Sequence, residues 1–328
     1  MELGGWFTIA IVVAAVAIDF VIRIVSIVTI PRNRRPQTAM AWLLAIFFLP
    51  YIGFLLFLTF GSRRLPKGRR AKQQEINTYI LETTEGVEDV GGDHPWLDPI
   101  VALNRTLGAM PMVGGNTALL LSDYDKSLTA MTDAVNNAKF YVHAEFYIFA
   151  LDATTEPFFD ALDAAAERGV RVRVLLDHVA GLRTVGYRRT LRRLDAMGIH
   201  WALTLPVQPF KGKWQRPDLR NHRKILVVDG SVAFTGSQNI IDSTYNKRGN
   251  LRRGLHWQDL MVRFEGSIVA GINALFVTDW YTETNELLLR ETATELRPKR
   301  SRQIDAQVVP SGPGFDGENN LRLFNSLL

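Results

Sequence analysis

At 328 residues the chain is long enough for one large domain or two ordinary ones with ample core. Its formal net charge of +5 suits anionic partners, either acidic lipid or nucleic acid. The absence of cysteine excludes disulfides, thiolate nucleophiles and cysteine-based metal sites.

The first element is an apolar run from Trp6 to Ile30. As a helix it is roughly 37 Å long, enough to cross a hydrocarbon core. Asp19 and Arg23 interrupt it four residues apart, on one face, where they can pair. Thr38 to Phe60 is a second apolar run, broken by Pro50 and Gly53, the pattern of a kink or a re-entrant hairpin. A cleaved signal peptide does not fit, because Met1 to Gly5 carries no Lys or Arg and a second apolar run follows. The loop between the runs holds Arg32, Arg34 and Arg35, whereas residues 61–72 hold six cations and no acid. The larger cluster places the following region in the cytoplasm, on a multi-pass anchor in the inner (plasma) membrane.

Gln73 to Met110 reads as a short helix and a linker. Helix and strand patterns then alternate: a helix over Asp125–Ala138, a strand over Phe140–Phe149, a helix over Glu156–Arg168 stopped by Gly169, and a buried strand over Val170–Asp177. A helix from about Val185 to Met197 and an extended Ile199–Leu203 follow. The alternation predicts an α/β sandwich with a mixed sheet. Four segments result: 1–60 as membrane anchor, 61–110 as basic juxtamembrane segment and linker, 111–305 as one α/β lobe, and 306–328 as the beginning of a truncated second lobe. A faint repeat supports the last, since Leu119–Asp125 resembles Val308–Asp316.

Ile225–Val228, Asp229-Gly230 and Ser231–Phe234 form a hairpin pattern with a two-residue turn, in which facing residue numbers sum to 459. His222 then faces Ser237 and Lys224 faces Thr235. His222 and Lys224 share a face, while Asp229 sits in the turn.

The run Asn221–Gly230 contains His-x-Lys-x4-Asp as His222, Lys224 and Asp229, followed by Thr235-Gly-Ser-Gln-Asn239. Together these resemble the signature of the phospholipase D superfamily. Its chemistry is phosphodiester transfer or hydrolysis, and these residue types suit it. A histidine near neutral pKa can attack phosphorus or protonate a leaving alkoxide. Lys224 can neutralise phosphoryl oxygens as a point charge. Ser237 and Asn239 can donate hydrogen bonds to the same oxygens. A covalent phosphohistidine splits the transfer into two steps. The chemistry needs two histidines on opposite sides of one phosphorus, and nothing after Asp229 reads His-x-Lys again.

A closer resemblance, over essentially the whole chain, is to bacterial cardiolipin synthases of the phospholipase D type. It rests on the paired apolar segments with Ala41-Trp-Leu-Leu44 and Leu49-Pro-Tyr-Ile-Gly53, on Lys139–Ile148 and Gly169–Asp177, on the motif itself, on His256-Trp-Gln-Asp259 and on Val309–Pro313. The resemblance implies two similar α/β lobes, each giving one motif to a shared site. It implies joining two phosphatidylglycerols with release of glycerol, without metal or cofactor. It assigns His222, Lys224 and Asp229 to the first motif and implies that Glu145, on the face of His143 and Tyr147, orients the histidine or binds substrate. The implied partners are phosphatidylglycerol, anionic membrane lipid and a second lobe, with no nucleic acid. Two alternatives stand beside it: hydrolysis of lipid or nucleic acid by the same chemistry, and a catalytically silent half-enzyme acting as a membrane partner.

His143, His178, His200 and His256 lack metal-ligand spacing and read as core or surface residues. Arg188, Arg189, Arg192 and Arg193 form a basic helix face, either solvated or touching anionic lipid. Lys211–Arg216 has the composition of an interfacial loop, with Trp214 at head-group level.

Overall fold

The computed structural model describes residues 2–33, 36–61, 67–84, 87, 89–90, 96–108, 110–211, 213–288, 303–312, 323 and 325. Two units divide at the basic segment, Met1–Arg64 and Leu65–Leu328.

In the first unit, α1 (Glu2–Thr29) contains the one described helix, Trp6–Thr29, that is long and apolar enough to cross a membrane. The second apolar run forms two helices, α2 (Pro36–Phe48) and α3 (Pro50–Phe60). The break lies where expected. Pro50 has no N–H to donate, and Leu49 before it takes a non-helical φ of −133° and ψ of 70°. At 13 and 11 residues, neither helix alone matches the roughly 30 Å of a hydrocarbon core. They fold back on α1, with Ile30, Ala39 and Ile46 buried between them and the Tyr51 hydroxyl donating to Ala15 O at 2.9 Å. Asp19 and Arg23 pair at 2.8 Å, and the Arg23 guanidinium lies 4.8 Å from the centre of the Phe47 ring.

The second unit starts with α4 (Lys67–Thr84) and α5 (Asp98–Gly108). Strands β1 (Met112–Leu121), β2 (Tyr141–Phe146), β3 (Arg171–Asp177), β4 (His200–Thr204), β7 (Lys224–Val228), β8 (Val232–Gly236), β9 (Met261–Glu265) and β10 (Ile304–Gln307) build one sheet. Its order is β10-β1-β9-β8-β7-β2-β3-β4. The pairs β2–β3 and β3–β4 are parallel and the remainder antiparallel, so the sheet is mixed, as the alternation predicts. A small separate hairpin pairs β5 (Val207–Gln208) with β6 (Lys213–Trp214).

Helices α6 (Tyr124–Asn136) and α7 (Glu156–Glu167) cover one face, burying Leu226, Val228 and Phe234. The other face packs Tyr141, Ile225, Val227 and Ala233 against α11 (Ile268–Thr284). Short α8 (His178–Leu182) and α9 (Tyr187–Ala196) connect β3 to β4. The predicted stops at Gly169 and Gly198 both have positive φ, 84° and 66°. Gln73–Met110, expected to be a short helix and a linker, holds most of α4 and all of α5 among its described residues. α4 docks on α11, where Arg69 pairs with Glu283 and the Tyr281 hydroxyl donates to Glu75 at 3.0 Å. β10 straddles the expected boundary at 305/306 and extends the first sheet, while residues 313–322 of the expected second lobe lie outside the described residues.

The hairpin register differs from expectation by one residue. Asp229 and Gly230 do form the turn, with φ of 52° and 62°, and Ser231 N donates to Val228 O at 3.0 Å. The ladder, however, pairs Val228 with Val232 and Ile225 with Thr235, so facing numbers sum to 460 and Ser231 is the extra residue. Core volume decides this. The observed register places Phe234 opposite Leu226 in the α6/α7 core, fully buried; the expected one carries it to the opposite face.

Candidate active site

The site lies where β2 ends and β7 begins. Extended residues lead into β7, and His222 is the last exposed side chain before the strand. Its ring stacks on Tyr147, with centroids 3.8 Å apart and planes at 26°. Lys224 is buried beneath, with Nζ donating to His222 O at 2.5 Å and lying 5.5 Å from the Tyr147 ring centre. His222 and Lys224 therefore meet at one place, as the two-residue alternation predicts. Tyr147 is the platform that joins them.

A pocket of about 440 Å³ opens here, lined by Tyr147, Arg183, Pro217, Asp218, Arg220 and His222. Arg220 is held from three sides. It donates to Leu205 O at 2.7 Å and Arg216 O at 2.6 Å, and it pairs with Asp177 at 3.3 Å. Asp177 in turn accepts from Ala180 N at 2.8 Å, capping α8. Burial pushes the His222 pKa below the usual histidine range, and the Lys224 charge adds to this. Burial likewise lowers Lys224, with Asp259 acting the other way. The result is a neutral imidazole beside a cluster of cations, suited to meeting a phosphodiester.

Asp229 is elsewhere, at the far end of β7, roughly 20 Å along the strand from His222 at about 3.3 Å per residue. Its carboxylate accepts from Lys139 N at 2.8 Å, Phe140 N at 2.7 Å and Tyr141 N at 2.8 Å. The motif's third residue thus ties the turn to the start of β2.

Ser237 does not face His222. Its hydroxyl donates to Asp259 Oδ1 at 2.6 Å and accepts from Leu260 N at 3.0 Å. Gly236 beside it has no room for a side chain, since a Cβ there falls 2.1 Å from Leu260 O. Both ends of the Asn239 amide are engaged, Oδ1 accepting from Ile148 N at 2.9 Å and Nδ2 donating to the Tyr245 hydroxyl at 3.0 Å. Asn239 therefore fixes the backbone next to Tyr147.

Glu145 is buried on the α11 side of the sheet, outside the pocket. It accepts from Asn221 Nδ2 at 2.7 Å, and the same amide donates to Asp279 Oδ2 at 2.8 Å. Arg223 pairs with Asp279 and donates to Ser311 O at 2.9 Å. Burial raises the Glu145 pKa well above the usual carboxylate range, and the neighbouring Asp279 raises it further. Asn221 and Arg223 flank His222 in sequence, so this buried cluster grips the chain on both sides of the histidine.

Three other histidines are held by neighbours within the fold. His143 is buried, stacks on Phe276 at 4.3 Å, and its Nδ1 lies 2.8 Å from Asn273 Oδ1. His178 Nδ1 accepts from Val207 N at 3.1 Å, and His256 bonds Ser243 at 2.8 Å. The basic face of α9 is partly neutralised, Arg193 pairing with Asp160 at 2.8 Å and Asp163 at 3.0 Å. The side chain of Trp214 lies outside those described.

Residues 131–261 match a family model described as "Cardiolipin synthase, PLD-like domain", and residues 20–62 match one described as "Phospholipase_D-nuclease N-terminal". Cardiolipin synthase A of Proteus mirabilis (strain HI4320) is 33% identical over 295 residues, covering 87% of this chain and 60% of that protein. Cardiolipin synthase A of Serratia proteamaculans (strain 568) is 32% identical over 297 residues, covering 88% and 60%. The chain thus spans about 60% of the length of these curated relatives. Among solved structures, the phospholipase D family member Nuc from Salmonella typhimurium aligns with a TM-score of 0.39 at 16% identity, covering 52% of this chain and 97% of that one. Residues 131–261 thus carry a PLD-like domain of the cardiolipin synthase type.

Proposed function

We propose that this chain is the His222-bearing lobe of a membrane phosphatidyltransferase that makes cardiolipin from two phosphatidylglycerols. The observation that carries this reading is His222 itself: exposed, stacked on Tyr147, beside Lys224, at the mouth of a pocket holding Arg183 and Arg220. The similarity to cardiolipin synthases supports the lipid substrate, and the apolar helix α1 supports a membrane location.

In this mechanism the neutral imidazole of His222 attacks the phosphorus of one phosphatidylglycerol. The bond to the head-group glycerol breaks, and glycerol leaves with a proton from a second histidine on the opposite side. The glycerol hydroxyl of a second phosphatidylglycerol, losing its proton to that histidine, then displaces His222 and forms cardiolipin. Lys224 and the pocket arginines offset charge on the phosphoryl oxygens. Among the described residues no other histidine lines this pocket, so the acid comes from a second lobe, in the same polypeptide or another copy. General-acid assistance is typically worth about 10²–10⁴ in rate, so this lobe as a monomer forms little or no cardiolipin. Assaying the purified chain in phosphatidylglycerol vesicles alongside its oligomeric state tests the requirement. Full turnover by a proven monomer contradicts it.

The six cations of residues 61–72 support a cytoplasmic catalytic unit. Asp229 supports the fold in this reading, and Ser237, Asn239 and Glu145 act by holding neighbours of the pocket.

A further inference from the structure

Residues 246–257 read Asn-Lys-Arg-Gly-Asn-Leu-Arg-Arg-Gly-Leu-His-Trp, four cations and no acid. They form α10 (Arg248–Arg253) and its flanks. The helix ends in a left-handed Gly254 with φ 60°, Leu255 N donating to Asn250 O at 3.0 Å and Gly254 N to Leu251 O at 3.4 Å. In such a turn the residue at the place of Leu255 ordinarily packs on an apolar side chain at the place of Asn250. Asn250 supplies none. Leu255 is left 42% exposed, beside Leu251 at 58% and Trp257 at 52%.

This exposure belongs to a well-tied loop. Trp257 N donates to Ser243 O at 2.9 Å, Asn250 Nδ2 to Thr244 O at 2.8 Å, and the Tyr245 and Trp257 rings lie 5.5 Å apart. The flanking acids are engaged by hydroxyls of their own scaffold, Asp242 by Thr154 and Thr244 and Asp259 by Ser237. The loop therefore presents three large apolar side chains among Lys247, Arg248, Arg252 and Arg253, all exposed.

We infer that this loop is a membrane contact of the catalytic unit, separate from α1, and that its partner is an anionic lipid surface. Leu251, Leu255 and Trp257 enter the boundary between head groups and acyl chains, and the four cations meet lipid phosphates. Charge complementarity favours lipid over a second copy, because an isologous contact sets these arginines against themselves. The loop also connects to the site. Tyr245 accepts from Asn239, which holds Ile148 beside the Tyr147 platform. Docking therefore brings head groups toward His222. In this it rests on the lipid reading above.

The test uses the full chain, which lacks native cysteine. Leu251→Cys, labelled with an environment-sensitive fluorophore, is reconstituted into vesicles of phosphatidylcholine alone or with phosphatidylglycerol added. With phosphatidylglycerol, the emission shifts to the blue and is quenched by lipids spin-labelled near the head group. Without it, the label reports water. Each cation removed weakens docking roughly fivefold, so Arg252→Glu with Arg253→Glu abolishes the shift at equal incorporation. A label that stays aqueous in both vesicles overturns the inference. So does a blue shift that lipid quenchers leave untouched and that grows with protein density, which marks a contact between copies. His222→Ala in the labelled protein keeps the shift whatever its effect on product. Failure of the transferase reading and failure of the docking reading are thereby read separately.

Discussion

Replacing Asp229 by alanine removes an acceptor for three backbone N–H groups, at 2.8, 2.7 and 2.8 Å. It also leaves a residue with a Cβ at φ 52°, where Asn and Asp are tolerated best. Hydrogen bonds to a charged group are worth about 1.5–3 kcal/mol each when buried, and less at this half-exposed turn. About 3 kcal/mol is therefore at stake for Asp229→Ala. Asparagine keeps one oxygen and suits the turn, but sets an amide N–H against the N–H of Lys139, at a cost of about 1 kcal/mol. At about 2–4 °C per kcal/mol for a unit of this size, the melting temperature falls by about 6–12 °C for alanine and about 2–4 °C for asparagine. The assay is thermal unfolding by circular dichroism in one detergent, with transferase activity normalised to folded protein. Asp229→Asn keeps most of its activity per folded molecule, whereas His222→Ala loses nearly all. Two results refute the reasoning: an unchanged melting temperature for Asp229→Ala, or a well-folded Asp229→Asn as inactive as His222→Ala.

Glu145→Gln mimics a protonated Glu145 and leaves stability within about 1 kcal/mol, whereas Asp279→Asn strips the counter-charge from the largely covered Arg223 and costs about 3 kcal/mol, as denaturant titration measures. Because the folded-state pKa of Glu145 is raised, its stabilising effect is complete below the usual carboxylate pKa and is lost as pH rises through the folded value. Glu145→Gln therefore gains on wild type as pH increases. The lowered His222 pKa puts the acidic limb of the pH–rate profile below the ordinary histidine range, and Lys224→Met moves that limb upward while reducing turnover; an unmoved limb separates Lys224 from His222. A single cysteine at Ser62 is shielded from a membrane-impermeant reagent in intact cells, and ready labelling from outside reverses the topology.

The core of the site was legible because strand alternation puts His222 and Lys224 on one side, and they do meet, over Tyr147. The hairpin register was not. Ile225–Val228 and Val232–Phe234 are apolar on both faces, so periodicity cannot choose between registers one residue apart. The bulk of Phe234 and the extra Ser231 choose instead, and Ser237 turns to Asp259 rather than His222. The roles of Glu145 and Asn239 depend on partners distant in sequence. Asp279 lies on α11, whose apolar residues surround the helix and give no amphipathic signal. Arg220 was hidden for a similar reason, since its partners Asp177 and Leu205 come from the ends of other connections.

The most direct test of the account follows the fate of phosphatidylglycerol carrying isotope-labelled head-group glycerol, with this chain assembled with a second lobe in vesicles. Glycerol release, cardiolipin and phosphatidic acid are measured together for wild type and His222→Ala. The expected result is equimolar glycerol and cardiolipin, little phosphatidic acid, and loss of both products in His222→Ala. Phosphatidic acid equal to the glycerol released, or undiminished cardiolipin from His222→Ala, contradicts it.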